Sequence, residues 1–371
     1  MNKDTEQINT LAGHLFREHY GKMVSYLSHK YGYHQIENIL DAVQESFEAA
    51  LKTWRFSAVP KQPFAWLYKV ANHKLLNKMK RSNLSRAHLE QLSVEEVEIV
   101  PYNEQEAEDS LLKLLVYFST ADFSARNKLV ISLYFLCGFN YSEIANALLL
   151  KTETVKKVVL RSKEAIKKFS GAYDAYQIQN IEQPDHLLKV IYLLFNEGYK
   201  SSQKKGTINM DMCFEAIRLA KLFNRHYPYH AETNALLAGM FFHSSRFPAR
   251  TTERDGTWIS LENQDRHLWD RNLISTGFKY LRAAKNNQIE LDKYYLEALI
   301  SSLHCTSESY EKTDWQNIAY LYVQLEQLEP HSISVTLNRI IAESNYKEIE
   351  ELLLELKSME SLHYRQRVLL L

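Results

Sequence analysis

The chain has 371 residues, and its 45 Lys and Arg balance 45 Asp and Glu, so the formal net charge is zero. Hydrophobic residues make up 45% and charged residues 24%, which supplies a core, excludes global disorder and fits two or three domains. Glycine (10) and proline (7) are scarce, and because strand reversals draw on both, the composition predicts an all-α protein.

The first predicted helix runs from Ile8 to His29, where Leu11, Leu15, Phe16, Tyr20, Met23 and Leu27 recur every three or four residues. A second runs from Ile36 to Trp54, with Ile39, Val43, Phe47, Ala50 and Trp54 as its buried stripe and Asp41, Gln44, Glu45 and Glu48 on other faces. From Ala49 to Leu89 there is no Asp or Glu, while nine cations accumulate: Lys52, Arg55, Lys61, Lys69, Lys74, Lys78, Lys80, Arg81 and Arg86. Trp54, Phe56, Phe64, Trp66 and Tyr68 are interleaved with them. Cations and rings in that mixture suit a single strand, with charge tracking the backbone and rings stacking on unpaired bases. The competing reading is a solvated basic face, with Phe64 and Trp66 in the core. Phe64, Leu67, Val70, Ala71, Leu75 and Met79 spell a third helix, with Trp66 and Tyr68 off its main stripe.

Between Ala87 and Leu112 the sign reverses. Glu90, Glu95, Glu96, Glu98, Glu104, Glu106, Glu108 and Asp109 occur with no Lys or Arg, which predicts an exposed acidic linker. It is expected either to act as a flexible tether or to cover basic modules and limit nonspecific DNA binding. Lys113 to Ser170 carries ten cations and four acids. In it, Asn140 and Glu143 form an N-cap and N3 pair opening a short helix with Ile144, Ala145 and Leu148 inward. After a glycine-free turn at Leu149–Lys151, Thr152 is placed to cap a helix whose inward face is Val155, Val159, Ser162 and Ile166. Lys156, Lys157, Arg161, Lys163, Lys167 and Lys168 fill much of its remaining surface. This is the pattern of a DNA-binding helix-turn-helix.

From Pro184 onward the periodicity predicts helices over Leu187–Tyr199, Met212–Asn224, Ala231–Ser244, Asp265–Ala284, Asp292–His304, Trp315–Leu328, Ser332–Ala342 and Tyr346–Leu356. Pro228 and Pro330 each separate a pair and lie three periods of about 34 residues apart, a tetratricopeptide-like spacing. Asn196, Glu197, Asp265, Arg266, Asp270, His226, His230 and His243 supply no nucleophile-base pair, phosphate loop or metal spacing, so polar locks between helices are expected and catalysis is not. Cys137, Cys213 and Cys305 have no metal or disulfide spacing, so no metal or cofactor is expected. Met1–Thr10 is polar, and the longest apolar stretch, Leu129–Phe139, is shorter than the roughly 18 residues of a membrane span. The expected location is the cytoplasm.

In order and content these segments resemble bacterial extracytoplasmic-function sigma factors. Asp41-Ala-Val-Gln44-Glu45-Ser-Phe47 is similar to that family's contact with the clamp helices of the RNA polymerase β′ subunit. Phe64-Ala-Trp66-Leu67-Tyr68-Lys69-Val70-Ala71, with Asn77–Arg81, resembles its −10 element segment. Tyr141-Ser-Glu143-Ile144-Ala145 and Thr154-Val155-Lys156-Lys157…Arg161-Ser-Lys163 resemble its −35 reader. Val190–Tyr199, then Ser245-Arg246…Ala249-Arg250, Gln264-Asp265-Arg266…Trp269-Asp270, Thr313-Asp314-Trp315 and Leu337-Asn338-Arg339, resemble a subgroup with a long helical extension. The subgroup's Cys-Cys-His-Pro is here Phe118-Ser-Thr-Ala, and its final helical pair is not matched.

The resemblance implies a first sigma domain over 1–86, a linker over 87–110, a helix-turn-helix domain over 111–170, and a tetratricopeptide-like regulatory domain over 171–371 that acts on the sigma domains. It implies core polymerase binding through Asp41, Gln44, Glu45 and Phe47. For −10 binding and melting, Phe64, Trp66 and Tyr68 would stack on bases while Lys69, Lys74, Lys78, Lys80 and Arg81 hold the strand. Thr152, Glu153, Lys156 and Lys157 would read −35 bases, and Arg161 and Lys163 would grip phosphates, with Val158 and Leu160 against sugars or thymine methyls. The alternative is a helical-repeat scaffold, or a DNA-binding regulator, that does not engage polymerase.

Overall fold

The computed structural model describes residues 3–54, 59–87, 102–120, 122–148, 150–168, 184–199, 208–250, 259–287, 291–330 and 332–348, with 350, 352–353 and 356 beyond them. Among these residues there is no strand, and the chain is all-α as its composition predicts. None of the described helices is long and apolar enough to cross a membrane. The chain divides into two units, Met1–His226 and Tyr227–Leu371.

The first unit contains α1 (Lys3–Tyr31), a 3₁₀ turn at Tyr33–Gln35, α2 (Ile36–Thr53), α3 (Pro63–Ala87), α4 (Glu104–Thr120), α5 (Ala125–Phe135), α6 (Tyr141–Ala147), α7 (Thr152–Lys168), α8 (Pro184–Tyr199) and α9 (Met210–His226). Helix α1 touches α2, α3, α4 and α9, because Met23, Val24 and Leu27 are buried completely and make it a central element rather than a surface one. Glycine inside a helix costs about 1 kcal/mol relative to alanine, and Gly21 has a packing reason to be there. A Cβ at that position would overlap the carbonyl oxygen of Leu136, and its carbon would lie 2.9 Å away. Gly138 completes the seam. Its φ of +69° suits glycine, and a Cβ there would meet Phe16 at 2.6 Å and Tyr20 at 2.9 Å.

Two boundaries differ from those the sequence predicts. Residues 88–101 of the acidic linker lie outside the described residues, but Glu104–Ser110 open α4 instead of extending as a tether. Acids in a first helical turn favour the helix dipole, and Ala107, Leu111 and Leu115 give α4 a fully buried stripe. Helices α8 and α9 pack on α4, and α8 also on α5. The first pair of the segment predicted over 171–371 therefore belongs with the preceding helices, and the division falls after His226.

The second unit contains α10 (Ala231–Ser244), α11 (Phe247–Arg250), a 3₁₀ turn at Arg266–Leu268, α12 (Arg271–Asn287), α13 (Lys293–Thr306), α14 (Trp315–Leu328) and α15 (Ile333–Glu343). The single helix expected over Asp265–Ala284 is broken by its two aspartates. Asp265 accepts from the His267 amide at 2.9 Å, and Asp270 caps α12 by accepting from Asn272 at 2.8 Å and Leu273 at 3.1 Å. Two apolar clusters hold the helices together, one around Phe242, Trp269 and Ala284, the other around Leu296, Ile318 and Leu325.

Polar residues far apart in the chain meet beside the first cluster. Arg246 donates to Gln264 at 3.2 Å, and Arg266 donates to the carbonyls of His304 (2.8 Å) and Ser307 (2.7 Å) and to the Thr313 hydroxyl (3.3 Å). Both guanidiniums lie over the Trp269 indole, 5.3 and 4.9 Å from its centroid. Beside them, burial and then the charges of Arg246 and Arg266 push His304 from 6.5 down to about 3. Its imidazole packs edge-on against Trp315, with centroids 5.4 Å apart. A histidine kept neutral in the fold but free to protonate when unfolded removes stability as pH falls below the unfolded value. The second unit is thus expected to lose stability from about pH 6.5 toward pH 3, and His304→Phe to flatten that slope. Urea denaturation across this range, followed by tryptophan fluorescence, measures both.

Candidate nucleic-acid and partner-binding surfaces

Helix α2 turns Asp41 and Gln44 to solvent and leaves Glu45 half-buried, because Ala42, Val43, Ser46 and Phe47 take its inner face. Phe47 is 5% exposed and meets Phe16 edge-on at 4.8 Å, so it supports this surface from beneath instead of forming part of it. Gln44 donates to Glu48 at 3.1 Å. The acids expected to face polymerase and two cations expected to face DNA are paired with each other. Lys78 lies 2.9 Å from Glu45 and 3.7 Å from Asp41, and Lys74 lies 3.2 Å from Glu45. The Lys78 hydrogen bond is the main cause that holds Glu45 below the usual carboxylate range, and the same bond raises Lys78. Lys69, Lys80 and Arg81 are exposed, and Lys69, His73 and Lys80 share one stripe of α3.

The three rings expected to stack on bases separate. Trp66 is half-buried on the side of that cationic stripe, 5.6 Å from Trp54. Phe64 and Tyr68 turn the other way, into an aromatic group with Tyr26 and Tyr102. Phe64 lies 4.5 Å and Tyr68 5.2 Å from Tyr102, while His19 covers Phe64 at 4.0 Å. Tyr68 is only 3% exposed, so as the chain is folded here it offers no face for stacking. Arg55 and Phe56 lie outside the described residues.

The two helices expected on either side of the turn form as α6 and α7. Asn140 accepts from the Ser142 and Glu143 amides, both at 2.9 Å, and Glu143 accepts from the Asn140 amide at 2.8 Å. The glycine-free turn is held from outside: Arg126 donates to the Leu148 carbonyl at 2.6 Å, and the Leu150 amide donates to Ala145 at 2.7 Å. Thr152 begins α7 rather than capping it, since the Lys151 carbonyl accepts the first helical bonds, from Thr154 and Val155. Val155, Val159, Ser162 and Ile166 are buried; Glu153, Lys156, Lys157 and Arg161 are exposed. Glu153 pairs with Lys156 at 2.9 Å, and half-buried Lys163 approaches the Tyr134 ring at 5.8 Å. Leu160 is 59% exposed among these cations, whereas Val158 is buried and cannot reach a sugar or methyl group. The far end of α7 is tied back to α2 by Lys167 and Glu37 at 3.1 Å.

The described acids of the predicted linker pair with none of these cations. Lys22, 7% exposed on α1, donates to Glu104 at 3.2 Å and Glu108 at 3.1 Å. Glu108 also pairs with Arg225, and Asp109 lies 3.5 Å from His226, both on α9. Burial pushes Glu108 upward, but hydrogen bonds from Lys22 and Arg225 outweigh it and leave its carboxyl below the usual range. Lys22 was not singled out from the sequence. The available signal was Lys22, Tyr26 and Lys30 recurring every four residues on one helix face. No group of three or more His, Cys, Asp or Glu among the described residues is placed to hold a metal.

These surfaces define an all-helical protein with two separate basic faces and an acidic face on α2. Residues 183–285 match a family of unknown function (DUF6596). The chain belongs to the same family as the uncharacterized protein R00370 of Rhizobium meliloti (strain 1021), with which it is 30% identical over 316 residues, 82% of this chain and 73% of that one. No solved structure matches it.

The nearly buried Lys22 gives a direct test of how α1, α4 and α9 cohere. Lys22→Met leaves the largely buried Glu108 carboxylate with Arg225 as its one remaining ion-pair partner among the described residues and is expected to cost about 3 kcal/mol of unfolding free energy. Glu104→Gln, at an exposed carboxylate, is expected to cost less than about 1 kcal/mol. Urea denaturation followed by circular dichroism compares the two.

Proposed function

We propose that this protein is an RNA polymerase sigma factor of the extracytoplasmic-function type, which binds core polymerase, recognises −35 and −10 promoter elements and assists melting. The observation that carries the reading is α7, a helix with one buried apolar face that follows a capped helix and a short turn and turns Lys156, Lys157 and Arg161 to solvent. A helix so mounted fits the major groove, its first residues at base edges and its later cations at phosphates. Leu160 suits a thymine methyl beside them.

The remaining parts fit the same activity. Asp41, Gln44 and Glu45 offer an acidic face to the polymerase β′ clamp helices. Lys69, Lys80 and Arg81, with Trp66 alongside, form a cationic path for a separated strand. Stacking at roughly 1–3 kcal/mol per base offsets the few kcal/mol lost at each unstacked step. The Lys74 and Lys78 pairs with Glu45 make the two surfaces interdependent, since an Asp41 or Glu45 engaged by polymerase frees those cations for DNA. Helices α10 to α15, arranged as a tetratricopeptide-like extension, act as the regulatory part. The protein works in the cytoplasm, without cofactor or catalysis.

In vitro transcription with bacterial core polymerase and the protein's own upstream region is expected to give specific initiation. Glu45→Lys is expected to lower core binding at least tenfold. Lys156→Ala with Lys157→Ala is expected to leave core binding intact and lower the salt slope of duplex binding by about 2. Absence of core binding by the folded full chain would leave the scaffold reading.

A further inference from the structure

The aromatic group between α1, α3 and the start of α4 contains an occupant that does not fit it fully. Tyr102 enters from the residues just before α4 and meets Tyr26 at 5.4 Å, Phe64 at 4.5 Å and Tyr68 at 5.2 Å. Its hydroxyl is buried and has no hydrogen-bond partner among the described residues. A ring with no polar atom there would pack without that desolvation penalty. Immediately after Tyr102 comes a row of carboxylates, and these meet the stripe of α1 that repeats every four residues, at a rise of about 6 Å. Glu104 and Glu108 take Lys22, and Glu106 accepts from the Tyr26 hydroxyl at 3.2 Å, which in turn accepts from Lys30 at 3.1 Å. Lys30 also lies 4.9 Å from the Tyr26 ring centroid.

A flat ring packed edge-on and tilted among aromatics, followed by carboxylates on Lys22 and on the Tyr26 hydroxyl that Lys30 joins, has the chemistry of an unpaired nucleotide with its phosphates. We infer that Phe64, Tyr68, Tyr26, Lys22 and Lys30 form a binding site for single-stranded nucleic acid, and that Tyr102 and the acids of α4 fill it as a stand-in when no strand is bound. Lys22 makes the exchange necessary in both directions. A cation that is 7% exposed needs an anion, so the carboxylates can leave only as phosphates arrive. This inference deepens the sigma reading and rests on it for its biological use: the melted strand of the promoter displaces the chain's own acidic turn, and closure of that turn suppresses binding to stray single strands. It also explains why two of the three rings expected to stack on bases are covered.

The test is fluorescence anisotropy at low salt with a labelled 12-nucleotide single-stranded DNA and the equivalent duplex, using the full chain. Tyr102→Ala empties the site and is expected to raise single-strand affinity at least fivefold with little change for duplex. Tyr102→Phe keeps the ring and removes the unpaired hydroxyl, so it is expected to raise the melting temperature and lower single-strand affinity. Adding Phe64→Ala to Tyr102→Ala is expected to abolish the gain. Glu104→Gln with Glu106→Gln changes only exposed side chains, leaves the fold intact, and is expected to raise single-strand affinity in the same direction. Unchanged or weaker single-strand binding by both this variant and a folded Tyr102→Ala overturns the inference, as does an equal gain for duplex. Core polymerase binding is measured on the same proteins. Its absence alongside the expected single-strand pattern overturns the sigma reading and supports the site.

Discussion

The distance between α1 and the backbone of Leu136 is set by the hydrogen atom that Gly21 carries in place of a side chain, and the arrangement of the first unit depends on that distance. Helix α1 is surrounded by α2, α3, α4 and α9, so its position fixes theirs. A side chain at residue 21 would lift the α5–α6 connection away from it, and a side chain at Gly138 would press on Phe16 and Tyr20 from the same direction. Phe16 meets Phe47, so the seam also supports the underside of the acidic face of α2. Backbone packing at a glycine inside a helix thus reaches, through two aromatic rings, to a surface expected to bind a partner.

Charge organises what packing leaves outside. The net charge of zero conceals cations that fall into three settings. Lys22 is enclosed and neutralised by α4; Lys74 and Lys78 are shared with the acids of α2; Lys69, Lys80, Lys157 and Arg161 project from helices with no ion pair among the described residues, and Lys156 beside them is paired with Glu153 of its own helix. The first setting is worth stability, because an unmatched charge there is costly. The third is worth little to the fold and most to long-range attraction of a polyanion. A change in ionic strength therefore acts on the third group first.

Much of the helical layout was legible in the sequence, because apolar spacing and capping residues act locally. Ala231–Ser244 and Trp315–Leu328 begin and end where periodicity puts them, and Asn140 with Glu143 makes both bonds of its capping box. The sequence misled where one residue type serves two purposes. Glu104–Asp109 read as a solvated tether because acids usually are, yet their spacing also suits the first turns of an amphipathic helix. Asp265 and Asp270 read as polar locks on a single helix over Asp265–Ala284, but each is a cap that interrupts that helix. Phe64, Trp66 and Tyr68 were recognisable as rings of interest, while the face each occupies depended on Tyr102, some forty residues away in the chain. Gly21 carried no signal, since a glycine within a helical pattern reads as a weak point and not as a site of close approach.

The place where the chain divides governs how it can be dissected. By its sequence the protein invites a cut after Ser170, where the predicted helix-turn-helix domain ends. Such a cut would remove α8 and α9 from the surfaces of α4 and α5, uncover apolar area those helices now cover, and take Arg225 from Glu108. A fragment ending there would be sticky and short of a counter-ion, and its inactivity would be mistaken for loss of a regulator. Cleavage between His226 and Tyr227 follows the natural joint, so only fragments made at that joint can separate what the second unit does from what the first needs in order to fold.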